Sequence, residues 1–426
     1  MTKNRLEKSH ELFEVAETLI PGGVQKSRRP SNFVENYPIF MERGKGSYVY
    51  DVDGNEYIDW LLSYGPIVLG HCYSKVDQAV IQEMKKGFLF DLTHPLQLRL
   101  AKKLTEIIPC AEKVLFLNTG SGATSAAIRI ARIYTGRNKV IRWGYHGWHD
   151  WCCPSQAGIP QSTIEDVVTF RYNDLDSLQD VLGKNRNKIA CIIMMPFEIE
   201  LPKPGFLEGV RELADTYGVV LIFDEVRSWP RIGLGGAQKY YSVTPDMTTL
   251  SKGIANGYPI SALVGKKEIM MAAEKTTISA TYFPSSLGIA AALATIQELE
   301  DTNAIDHMWE IGKQLSDGLK DLIENKKVKA EVIGAPVMPF LIFGKKEDYE
   351  KVWYEKIYEG GDPGTEEDKR LMNAFYNETI QRGIFFHPRH HWFSCLSHTD
   401  EDIKKTLEIA EQSLDVAKKC VRLIGL

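Results

Sequence analysis

The chain has 426 residues, is 44% apolar and 25% charged, and carries a net charge of −5 with both signs spread along it. That length exceeds one ordinary hydrophobic core and predicts two or three domains of a soluble globular protein. The weak, unclustered charge argues against a nucleic-acid protein, which shows a basic stripe.

Residues 5–20 predict an amphipathic helix that stops at Pro21-Gly22-Gly23. The opening stretch lacks the apolar core of a secretory signal, and no apolar run along the chain is long enough for a membrane span. Next, "YPIFMERGKGSYVYDVDGNEYIDW" alternates apolar residues around Asp53-Gly54 and predicts a hairpin. From about residue 76, apolar runs of strand length alternate with helical patterns: 113–119, 139–143, 166–170, 189–195, 218–225, 247–251 and 261–265. Continuously apolar strands need a sheet covered on both faces, and their alternation with helices predicts a mostly parallel α/β sheet. Ligands of such sheets sit at the carboxyl ends of the strands.

Residues 285–326 predict long helices. Beyond them a smaller α+β unit is expected, with strands at 337–344 and 383–388 and a last helix at 400–420. The acidic, glycine-rich "KIYEGGDPGTEED" predicts a surface loop. The division expected is an N-terminal segment 1–75, a large ligand-binding domain 76–308 and a C-terminal small domain 309–426. The seven cysteines, at 72, 110, 152, 153, 191, 395 and 420, form no C-x-x-C pair. No disulfide framework is expected, and a reducing cytoplasm is the simplest location.

Three features carry chemistry. In "LNTGSGATSAAIRIARIY" a strand ends at Asn118-Thr119, Gly120, Ser121 and Gly122 make a tight turn, and a helix follows with Ala123, Ala127, Ile130, Ala131 and Tyr134 on one face. Free N–H groups at a helix start, with no side chain in the way, favour a phosphate; an ordinary strand–turn–helix is the plain alternative. Asp224 ends the apolar strand "VVLIFDE", where a carboxylate could pair with a protonated ring nitrogen or simply cap a neighbouring loop. Lys252, in "TTLSKGIANGYP", follows another apolar strand. A desolvated lysine there could attack an aldehyde, or it is one more solvated lysine among 51 basic residues.

Taken together and in this order, the three features resemble the class III, fold-type I aminotransferases that use pyridoxal-5′-phosphate (PLP). The glutamate-1-semialdehyde 2,1-aminomutase branch is the most similar. The resemblance runs over nearly the whole chain: "LIPGGV", "GSYVYDVDGNEYIDW", "NTGSGAT", "YHG", "PKPGFLEGVRELADTYGVVLIFDEVRS", "GGAQKYYSVTPDMTTLSKGIANGYP" and "ATYFPSSLGIAAALATI". It implies a mostly parallel seven-stranded sheet flanked by helices, with a smaller α+β domain built from the N- and C-terminal segments. It also implies that Lys252 holds PLP as a Schiff base and moves a proton between the substrate α-carbon and the cofactor carbon C4′. Asp224 would pair with the pyridine nitrogen, Val226 and Tyr145 would pack on the two ring faces, and Gly120 and Ser121 would hold the phosphate. Thr281 would reach the phosphate of a partner subunit, which implies a homodimer. Glu225 and His146 would support the site.

Departures from the family pattern gather around the substrate. Gly122 stands where Glu is usual, Met195 stands where the "EPVAGN"-like Glu falls, and Glu198 or Glu200 could compensate. Trp148 and Trp151 put bulk near the expected mouth of the site, and "HPRHHWF" adds basic residues, with Arg389 facing the pocket in this reading. Arg29, or Arg28, falls near the carboxylate-holding arginine of the aminomutase. The expected substrate contacts are therefore Arg29, Trp148 and Arg389. "HGWHDWCC" lacks the ligand spacing of a zinc site, so no metal is expected. The remodelled surroundings favour an aminotransferase, moving an amino group from a donor to a carbonyl acceptor, over an aminomutase. A non-catalytic binding protein on the same fold is the least expected reading, because Lys252 and Asp224 are both present.

Overall fold

A computed structural model describes residues 5–25, 39–199, 201–283, 285–346 and 364–422. Among them, thirteen strands run in chain order. They are β1 (Met41–Lys45), β2 (Tyr48–Asp51), β3 (Glu56–Asp59), β4 (Lys113–Leu117), β5 (Lys139–Trp143), β6 (Val167–Thr169) and β7 (Ile189–Met194). The rest are β8 (Val220–Asp224), β9 (Met247–Leu250), β10 (Ser261–Gly265), β11 (Ala330–Ile333), β12 (Phe340–Phe343) and β13 (Ile384–Phe385). The chain forms two compact units, one of Ser74–Ile305 and one of Met1–Tyr73 with Asp306–Leu426.

In the large unit the strands form one sheet in the order β4-β10-β9-β8-β7-β5-β6. β10 is antiparallel to both neighbours, while β5, β6, β7, β8 and β9 pair in parallel. The carboxyl ends of β4, β5, β7, β8 and β9 therefore open on one edge. Every residue of β7, β8, β9 and β10 is buried, as a sheet covered on both faces demands. The helix Gly120–Thr135 lies against this sheet on a face of small residues, with Ala123, Ala127, Ile130 and Ala131 fully buried. Tyr134, expected on that face, instead stands 46% exposed; the alanines bring the helix too close to the sheet for a ring at its last turn to enter.

In the small unit β1, β2 and β3 form an antiparallel meander, and the two-residue β13 adds in parallel to β3. β11 and β12 pair separately. The helices Glu366–Gln381 and Asp400–Arg422 pack together. Trp60 lies buried with the His398 ring stacked on it at 4.0 Å. Among the described residues, no helix is long and apolar enough to cross a membrane.

Candidate functional site

The first part of the site follows β4. Thr119 is extended and caps the helix Gly120–Thr135: its Oγ1 accepts the Gly122 N–H at 3.1 Å, and its carbonyl accepts the Ala123 N–H at 3.0 Å. The amides of Gly120 and Ser121 thus precede the first intrahelical bond, at the positive end of the helix. A Cβ on Gly120 would lie 2.9 Å from Cγ1 of Val226 and 3.6 Å from Cβ of Ser251. The turn is therefore packed directly against the residues that follow β8 and β9. On its other side Gly147, with φ of +122°, seats so closely that a Cβ would meet Ser121 Oγ. Thr124 Oγ1 donates to the His146 carbonyl at 2.8 Å and fixes that approach.

Asp224 ends β8 and is buried. Its Oδ2 takes a hydrogen bond from His146 Nδ1 at 2.7 Å; its Oδ1 accepts from the Val226 N–H at 3.1 Å and from Thr249 Oγ1 at 3.0 Å. A carboxylate accepts at about four positions, so one remains. Because Asp224 only accepts, His146 must carry its proton on Nδ1. Its Nε2 is buried without a hydrogen-bond partner, beside the stacked ring of Trp151 at 5.8 Å.

Lys252 opens the short 3₁₀ turn Lys252–Ala255 after β9, with φ of +45°, a left-handed conformation that L-residues avoid. Ser251 beside it is tied to the Ile260 carbonyl through Oγ at 3.1 Å. Burial pushes the Lys252 amine well below its ordinary pKa; the Arg227 and Arg231 charges push the same way, and Asp224 opposes them. Arg227 forms a buried ion pair with Glu198, which lies beyond the end of β7. Half-buried Tyr145 has its hydroxyl pKa raised by desolvation, with Arg227 opposing.

Glu225 turns the other way, into the interior. It accepts the Ala237 N–H at 2.5 Å and Gln238 Nε2 at 3.3 Å, and burial pushes its pKa up to about 7. It ties down the loop that carries Arg227 and Arg231.

The structure thus brings Gly120, Ser121, Val226, Asp224 and the Lys252 segment to one edge of one sheet. His146, Thr249 and Arg227 join them there. Thr281 is exposed, on a stretch held to the end of β4 by Asn118 Nδ2 on the Tyr282 carbonyl at 3.1 Å. Trp148 is 70% exposed and edge-on to His149, whereas Trp151 is buried and donates to Ser125 Oγ at 2.9 Å. Arg389 belongs to the small unit, half-buried, with its amide on His387 Nδ1 at 3.0 Å. There Tyr64 stands edge-on to His387 and His390. Arg28, Arg29 and Glu200 lie outside the described residues.

Residues 31–414 match the sequence profile described as aminotransferase class-III. The chain is 46% identical to the 3-aminobutyryl-CoA aminotransferase of Cloacimonas acidaminovorans, over 98% of this chain and 99% of that protein. It is 34% identical to the glutamate-1-semialdehyde 2,1-aminomutase of Methanocaldococcus jannaschii, over 96% and 98%. Among solved structures, the FumI protein of Sphingopyxis sp. MTA144 in its PLP internal aldimine form superposes with a TM-score of 0.89, at 26% identity, over 97% of each chain.

Proposed function

The chain belongs to the class III aminotransferase family, and from that premise we propose which residues do its work. The enzyme is PLP-dependent and moves an amino group from a donor to a carbonyl acceptor. In our reading Lys252 is the residue bonded to the cofactor, Asp224 pairs with its ring nitrogen, and Gly120 and Ser121 hold its phosphate.

The residues fit that group. The Gly120 turn has no room for a side chain, so backbone amides can close on an oxyanion. Asp224 has one acceptor position beyond its three donors. Lys252 has an amine that loses its proton easily. When bound, PLP supplies an aldehyde that takes the amino group and a protonated ring that accepts the electrons of the breaking C–H bond. With PLP bound, Lys252 would supply the uncharged amine that holds the aldehyde carbon and, once the donor's amine has displaced it, the base that takes the proton from the donor's carbon. Asp224, fixed by His146, Thr249 and Val226, would keep the ring nitrogen protonated. Tyr145 and Val226 would confine the ring and exclude water from it.

The donor we propose is a β-amino acyl thioester, the class named for the relative at 46% identity. Trp148, Arg389 and Arg29 are proposed to meet the substrate. We propose a homodimer in which Thr281 completes the partner's phosphate site. In its support, Thr281 and Tyr282 are exposed, and Phe88, tied through its carbonyl to the Ser286 N–H at 2.9 Å, begins an exposed apolar run with Leu89, Phe90 and Leu92. The seven free cysteines fit a cytoplasmic setting.

The observation that carries the reading is the packing of Gly120 against Val226 and Ser251, which joins the turn, the Asp224 strand and the Lys252 strand. The test is to load the protein with PLP, reduce it with borohydride and map the added mass. The mass on Lys252, and loss of the visible band in Lys252→Ala, are expected. A donor alone should discharge the band and release a carbonyl product. A protein that takes up no PLP ends the proposal, and one substrate isomerised with no second partner would favour the aminomutase.

A further inference from the structure

Three residues stand level across the carboxyl edge of the large sheet. Met194 of β7 lies opposite Phe223 of β8, and Phe223 lies opposite Thr248 of β9. Counting four residues on from each leads to Glu198, Arg227 and Lys252. The row exists in space as well as in register: Arg227 and Glu198 are in direct ion-pair contact, both almost inaccessible to solvent. Val226 and Ser251, which precede Arg227 and Lys252, meet around Gly120.

We propose that Glu198 and Arg227 form a positioning pair, in which Arg227 is the fixed positive charge beside the cofactor lysine and Glu198 holds and partly offsets it. The proposal rests on reading Lys252 as the cofactor lysine. A buried ion pair is a poor way to stabilise a fold, because apolar residues of like volume do as well or better. Its value here is where it puts a charge. Arg227 ranks ahead of Arg231 among the charges that depress the Lys252 amine, and Asp224 is the opposing charge. The other ionisable groups gathered there are Tyr145, on which Arg227 also acts, and His146, bound to Asp224. Arg227 disfavours any protonated nitrogen at the Lys252 position. It thereby keeps the lysine a nucleophile at lower pH than a lone lysine would allow. Glu198 sets how strong that effect is.

The two residues must therefore act in opposite directions. The measurement is the pH at which the visible band of the PLP-loaded enzyme changes as the lysine–cofactor linkage loses its proton. Arg227→Met should move this transition up by about one pH unit, and Arg227→Lys, which keeps the charge, should return it towards wild type. Glu198→Gln leaves Arg227 uncompensated and should move the transition down. The double variant Glu198→Gln/Arg227→Met buries no charge and should move it up as Arg227→Met does, so the test stands even where Glu198→Gln fails to fold. A merely structural pair would, when cut, admit water and move the transition the same way in both single variants. That result, or no movement in Arg227→Met, overturns the proposal. Retention of the band in Lys252→Ala would overturn the assignment of the lysine instead.

Discussion

Asp224→Asn is the substitution whose consequences the geometry fixes most tightly. The carboxylate serves three donors, two on Oδ1 and one on Oδ2. An amide of the same shape has one oxygen and one NH₂, so it cannot serve all three. With its oxygen in the Oδ1 place, its NH₂ faces His146 Nδ1. The imidazole must then change tautomer and carry its proton on the buried, partnerless Nε2. With its oxygen in the Oδ2 place, Thr249 can turn to accept, but the Val226 N–H loses its partner. Either arrangement leaves one buried donor unsatisfied, at about 1–3 kcal/mol. For a unit of this size that lowers the unfolding midpoint by roughly 2–12 °C.

On the proposed pairing the effect on catalysis is larger, because the ring nitrogen would also lose the negative charge that keeps it protonated. Removing one such preorganised partner costs on the order of 10²–10³ in rate. The assay is single-turnover discharge of the visible band by an amino donor, followed by stopped flow, with calorimetric unfolding of the same samples. The variant should still hold PLP, because the phosphate turn and Lys252 are untouched, and should discharge it slowly. A rate within threefold of wild type would refute the pairing of Asp224 with the ring. A rate loss matched by complete loss of bound PLP would show that Asp224 acts in retention rather than in the reaction.

Gly120→Ala places a methyl 2.9 Å from Val226 Cγ1; an overpacking cost of about 1–3 kcal/mol should weaken PLP binding by roughly 5- to 150-fold in equilibrium dialysis, and unchanged binding would separate this turn from the cofactor. Thr281→Ala should weaken PLP binding while light scattering still gives twice the chain mass; a fully loaded monomer would sink the shared site. In the small unit, burial and the Arg389 charge push His387 down to about 3. Below pH ~6.5 the unfolded chain binds a proton there that the folded chain does not, so stability should fall as pH drops from ~6.5 towards 3, by up to about 1.4 kcal/mol per pH unit. His387→Gln should flatten that slope in urea titrations, and an unchanged slope would assign it to other groups.

The sequence made the sheet legible where strands are apolar throughout. β7 fills all but the last residue of the run 189–195, because a strand covered on both faces has no polar residue to blur its ends. The run 383–388 was less legible: only Ile384 and Phe385 pair with β3, and Phe386 instead stacks on Trp392 at 3.7 Å. Its apolar character comes from side-chain packing, not from a ladder. At the site, the turn and the strand-end residues carry local signals, glycines and a charge after an apolar run. The partners of Asp224 do not. His146 is 78 residues away and Thr249 is 25, and only strand order brings them together. Arg227 gave no signal because its meaning lies in register: until β7, β8 and β9 are known to be neighbours, nothing aligns it with Glu198 and Lys252.

That register also explains why unfavourable local features collect where they do. Within the large unit, the left-handed backbone at Lys252, the partnerless Nε2 of His146 and the buried pair of Arg227 with Glu198 all lie past the carboxyl ends of adjacent strands. Each costs stability, and each is held by groups otherwise well satisfied: Ser251 on Ile260, Thr124 on the His146 carbonyl, Glu225 on Ala237. Their concentration at one edge is the pattern expected of a working edge. In the small unit, Leu62, Ser63 and Tyr64 are three consecutive left-handed residues, and Tyr64 meets His387 and His390 edge-on. A tyrosine there holds a backbone conformation that glycine would adopt without strain. Tyr64 is therefore the residue of the small unit whose strained backbone most calls for a test by substitution.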